Sequence, residues 1–198
     1  MKLIKYIFVL IQISSMYFGG ILLAQMDELH GDYSARAKGL YSANRIRCTF
    51  YNDGNIGGRS DQDYRLDWPK NNINKARYLY DSVPIVGAEV IDIDNQLIHI
   101  ISETHGSYTT GTNAATGDLS PTNAWWTWLP LPGFHNPTAQ EIAMSDRSET
   151  WPGFWPDKYF AEDPGWSRAW NGYFGKDRFN ADQESYYVFD DWANEEFN

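Results

Sequence analysis

Alternation of apolar and polar positions marks the clearest element of this chain. Ile85 to Ile93 (IVGAEVIDI) and Leu97 to Glu103 (LIHIISE) flank Asp94-Asn95-Gln96. Val86, Ala88 and Val90 alternate with Gly87, Glu89 and Ile91, which predicts a half-buried strand and an antiparallel partner across a tight turn. Asn44 to Tyr51 (NRIRCTFY) predicts a further strand, because it alternates and carries β-branched and aromatic residues. Asn52-Asp53-Gly54-Asn55 then predicts a turn, since Asn and Gly tolerate positive φ. Glu184 to Asp191 (ESYYVFDD) reads as a strand near the end of the chain. One short helix is expected over 137–144, with Pro137 suited to its first turn.

Between these elements the chain reads as loop. Residues 102–124 are rich in Ser, Thr, Gly and Asn, a length that marks a loop as functional or unordered. From Trp125 onward Trp, Pro and Gly dominate, and Pro-bearing stretches such as Trp155-Pro156 resist regular structure. Leu131-Pro132-Gly133-Phe134 and Trp151-Pro152-Gly153-Phe154 share a pattern that suits a type II turn. The expected fold is mainly β: an antiparallel sheet, sandwich-like or irregular, with long Trp/Pro/Gly-rich loops and at most one or two short helices.

The N-terminal segment has a different character. Lys2 and Lys5 precede a mostly apolar stretch from Tyr6 to Leu23, which ends at Ala24. Basic n-region, apolar h-region and a small residue at the edge are the parts of a cleaved export signal. Gln12, Ser14, Ser15, Gly19 and Gly20 interrupt it, which argues against a retained membrane span. The chain is therefore expected to divide into a signal peptide (1–24), a polar leader (25–43) and an aromatic-rich β module (44–198), secreted or exposed at the cell surface.

Charge and composition narrow the partners. The formal net charge is −10, and loss of Lys2 and Lys5 with the signal takes it to about −12. Nucleic acid and anionic membranes, which attract Lys and Arg clusters, are excluded. Nine Trp, thirteen Tyr and ten Phe supply aromatic faces for a core or for stacking on sugars. Trp125, Trp126, Trp128, Trp151 and Trp155 are the candidate exposed rings.

Candidate chemistry is sparse. Asp92, Asp94, Gln96 and Glu103 have an EF-hand spacing, but Leu97 stands where that loop needs Gly. Asp182, Glu184, Asp190 and Asp191 form the candidate Ca²⁺ set, since gathered carboxylates repel unless a hard cation neutralises them. His30, His99, His105 and His135 lack zinc-ligand spacing. Cys48, the single cysteine, lies in a strand-like run and reads as a small buried hydrophobe. A glycosidase needs two carboxylates across a cleft, for which Glu149, Asp157 and Asp163 stand near Trp residues.

The second half carries a recognisable series: Pro130-Leu131-Pro132-Gly133-Phe134, Glu141-Ile142-Ala143-Met144-Ser145-Asp146, Glu149-Thr150-Trp151-Pro152-Gly153-Phe154-Trp155-Pro156-Asp157, Trp170-Asn171-Gly172-Tyr173-Phe174-Gly175, and Asn180 through Asp191. Over residues 40–198 it resembles the N-terminal region of large secreted proteins of Gram-negative bacteria that often carry fibronectin-type repeats and end in a type IX secretion sorting domain. That group has no established activity, so the resemblance transfers no catalytic residue. It implies that the chain continues past Asn198 in the full protein. The expected function is a non-catalytic binding or structural module with glycan, Ca²⁺ or other domains of the same longer protein as partners. A fragment of a secreted glycan hydrolase is the alternative.

Overall fold

A computed structural model describes residues 29–71, 76–92, 94–104, 128–158 and 169–192. The export segment, the 105–124 loop, Trp125, Trp126, His105 and Asp163 lie outside the described residues.

The described residues are mainly β. They form short antiparallel pairs, and their helical turns are three-residue 3₁₀ pieces at Tyr33–Ala35, Ser148–Thr150 and Pro156–Lys158. Strand β1 (Lys38–Tyr41) pairs with β2 (Cys48–Tyr51), and β3 (Ile85–Ile91) with β4 (Leu97–Glu103). Strand β5 (Leu129–Pro130) pairs with β8 (Phe189–Asp190), and β6 (Asn171–Gly172) with β7 (Gly175–Lys176). Isolated bridges such as Lys38↔Glu141, Ile56↔Ser82 and Met144↔Ser185 join the segments between these strands.

Two aromatic clusters make the core. Phe134, Ala143, Trp155 and Trp170 form one, with Trp151, Tyr186 and Val188 packed on it. Phe50, Ile142 and Met144 form the other, with Tyr41 and Tyr187 on its flank. Two segments run between the clusters and alternate their side chains. Ala143 enters the first cluster while Ile142 and Met144 enter the second. Tyr186 and Val188 enter the first while Tyr187 enters the second. This is the period of two of extended chain.

That alternation corrects the helix expected over 137–144. Asn136 accepts from the Thr138 N–H (3.1 Å), and Ala139 closes a turn on the Asn136 carbonyl (3.0 Å). Gln140 then turns left-handed (φ 53), which stops the turn and leaves Ile142 to Met144 extended.

Part of the expected polar leader is regular. Residues 38–41 form β1, whose Gly39 faces the ring of Phe50, so closely that any Cβ there would overlap it. Tyr41 stacks on the same ring at 4.2 Å between centroids. The predicted 44–51 strand is shorter, Cys48–Tyr51, and the terminal strand narrows to Phe189–Asp190. Of the two Pro-Gly turns, Gly133 has the positive φ (88°) that a type II turn requires and Gly153 does not.

The β3–β4 hairpin matches its predicted bounds closely, with Asn95 left-handed at its turn (φ 60). The expected half-burial of β3 is not observed, whereas Ile98, Ile100 and Ser102 of β4 are covered on one face. Only Val90 of β3 is partly covered, and Ile85, Leu97 and Ile101 are 63%, 60% and 69% exposed. Those three residues occupy one face, around an exposed Glu89–His99 contact of 2.9 Å.

Candidate functional site

Beside β2 lies a polar core that anchors the N-terminal half. The Asp53 carboxylate is wholly buried and accepts from Arg36 Nε (3.0 Å) and from both terminal nitrogens of Arg59 (2.9 Å each). Burial pushes the Arg59 guanidinium down to about 10, against the pull of Asp53. Asp63 is buried as well. Burial raises its pKa, but donation from the Arg59 and Ser60 N–H groups, the Tyr51 hydroxyl and Lys38 outweighs that and holds it at about 2. With every carboxylate oxygen taken, this cluster is a structural clamp.

The first aromatic cluster carries a cleft. Thr150 Oγ1 accepts from Met144 N (2.8 Å) and donates to the Arg147 carbonyl (2.6 Å), fixing the 3₁₀ turn at Ser148–Thr150. Asn136 binds that turn twice: its N–H donates to the Thr150 carbonyl and its Nδ2 to the Glu149 carbonyl, both at 2.8 Å. Trp151 follows, half-buried, with Nε1 donating to the Met144 carbonyl (2.7 Å) and its ring 5.9 Å from that of Trp170. The rest of Trp151 lines a cavity of about 420 Å³ together with Asn136, Ser148, Glu149, Pro152 and Gly153. That volume lies in the range of small-molecule sites, about 300–1,000 Å³. The Glu149 side chain is exposed, and its carboxylate has no hydrogen-bond partner among the described residues.

Sequence reasoning singled out Trp151 and Glu149 of this cleft and missed Asn136 and Ser148. The Asn136-Pro137 pair was a legible turn signal, but its contact with residues 149–150 is set only by folding.

The other candidate rings lie differently. Trp155 is 0% exposed, its Nε1 donating to the Ala169 carbonyl (2.8 Å) and its ring edge-on to Trp170 and Tyr186. Trp128 is buried, stacked on Phe189 at 5.3 Å and bonded to the Ser102 hydroxyl. Neither offers a face to a ligand.

The candidate Ca²⁺ residues have separate local partners. Glu184 accepts from Ala181 N (3.0 Å), Asp190 from Gly31 N (3.1 Å) and Asp191 from the Ser102 hydroxyl. Asp182 lines a different cavity of about 510 Å³, with Tyr41, Ile46, Cys48 and Leu66. Among the described residues no three His, Cys, Asp or Glu side chains are grouped to hold a metal ion. Cys48 is buried, and burial pushes its thiol up, away from the reactive thiolate. Asp157 accepts from the Tyr186 hydroxyl (2.6 Å), Asn171 Nδ2 (2.9 Å) and Lys158 Nζ (3.0 Å), which makes it a tie within the core.

Fold and cleft thus define an aromatic-rich, mainly β chain with a tryptophan-walled cleft built on its first core cluster. No helix among the described residues is long and apolar enough to cross a membrane. Comparison with protein-family models, curated proteins and solved structures found no match for this chain.

Proposed function

We propose that this chain is a non-catalytic binding module of a secreted or cell-surface protein, and that carbohydrate docks in the Trp151 cleft. The observation that carries the reading is the pinned indole of Trp151, held by Met144 and Trp170, forming a wall beside the polar groups of Asn136, Ser148 and Glu149. An indole surface accepts the C–H groups of a sugar ring, while neighbouring polar groups meet its hydroxyls. Because the ring is already fixed, little side-chain entropy is lost on binding. The export-type N-terminus and the resemblance to large secreted bacterial proteins support the extracellular setting, with further domains of the same protein as neighbours.

A hydrolase reading requires two carboxylates facing each other across the cleft. Among the described lining residues Glu149 is the carboxylate present, and Asp157 is committed to three donors. Binding without turnover is the better-supported reading.

The test is a glycan array probed with the chain, run with and without EDTA. Retained spots that survive EDTA support the proposal; an array with no retained glycan contradicts it.

A further inference from the structure

We infer that the Trp151 cleft selects a cationic glycan, one whose sugars carry free amino groups, over the neutral N-acylated form. The inference rests on the carbohydrate reading above and sharpens it to a substrate class.

The charge of the cleft comes from one side. Among the described lining residues Glu149 is the ionisable one, and its carboxylate has no hydrogen-bond partner among the described residues. The nearest cation in sequence, Arg147, is turned to Glu141 (2.7 Å) and Asp146 (3.6 Å). Lys158 lies on Asp157 at 3.0 Å. His135, next to Asn136 in sequence, has its pKa lowered by burial, which favours the neutral ring. Among the described lining residues an incoming ammonium therefore meets an available carboxylate and no positive charge.

The wall adds to this. A tryptophan ring attracts a cation through its quadrupole as well as a sugar C–H face through dispersion. The chain's formal net charge of −10 draws cations towards it and repels uronic or sulfated glycans. A neutral N-acyl sugar keeps the stacking and loses the charge contact. An exposed ion pair and a cation–π contact together correspond to about three- to tenfold tighter binding.

Calorimetric titration of the intact chain with a glucosamine trimer and its fully N-acetylated counterpart tests this, at about pH 6, where the amines are largely protonated. The free-amine trimer is expected to bind about three- to tenfold more tightly at low salt. Glu149→Gln, at an exposed position, should reduce the affinity ratio of the two trimers, because the ion pair is lost while the ring contact stays. Equal affinity of the two trimers for the unaltered chain, or a preference undiminished in Glu149→Gln, overturns the charge selectivity while the carbohydrate reading stands. Failure of both trimers to bind overturns the selectivity, and the array then decides the wider reading separately.

Discussion

Arg59 grips Asp53 through two parallel N–H···O bonds of 2.9 Å, with the aspartate side chain fully buried. Arg36 adds a third contact at 3.0 Å. Two buried guanidinium groups thus depend on one carboxylate. Removing it takes the buried counter-charge from both cations in a poorly solvated site. Asp53→Ala should cost about 3–5 kcal/mol, the range for breaking a buried charge pair. Urea denaturation checks this; a loss below about 1 kcal/mol would mean that the clamp contributes little.

Asp63 links this region to pH. Its folded-state pKa of about 2 lies below its ordinary value of 3.8. Ionised Asp63 therefore stabilises the fold fully above about pH 4, and that contribution is lost as pH falls through about 2. In Asp63→Asn this titration is absent, so stability should fall less steeply between about pH 4 and 2 than in the unaltered chain. Parallel acid limbs in the two proteins would contradict the assignment.

Gly58 serves the same carboxylate. Its φ is +93°, and a Cβ there would overlap the Asp63 side chain. Gly58→Ala combines a strained backbone with a clash that backbone movement must relieve. A loss of more than about 1 kcal/mol is expected, read from the denaturation midpoint.

Two tryptophans close in sequence should respond differently. Trp155 is wholly enclosed, so Trp155→Ala should destabilise by about 3–5 kcal/mol. Trp151 is half-buried and should cost clearly less while abolishing carbohydrate binding. Thermal melting of both variants beside a binding assay separates the roles.

What the sequence revealed of the fold depended on length and on locality. The β3–β4 hairpin was legible because seven-residue strands repeat the alternation and Asn95 accepts the left-handed turn. Its exposure was not legible, since Ile101 reads as core wherever it sits. Strand β1 was hidden because four residues, one of them Gly39, show no period, and its pairing depends on the ring of Phe50. Ile142-Ala143-Met144 read as helix locally, and packing between two clusters made it extended. Of the cleft, Trp151 and Glu149 were readable as residue types. The Asn136 contact with Glu149 joins positions separated by thirteen residues and belongs to the tertiary fold. The Asp53 clamp was likewise invisible, because its segment gave a strong turn signal and no hint of Arg36.

Gly153 offers the most direct test of the Trp151 cleft. It lines the cavity, has ordinary backbone φ, and a Cβ built there meets nothing within 4 Å. Gly153→Leu should therefore fill the cleft without disturbing the core. Titration of this variant with a glycan retained on the array is expected to show binding reduced at least tenfold, with the melting temperature within about 2 °C of the unaltered chain. Undiminished affinity in the folded variant would place the carbohydrate elsewhere and contradict the account.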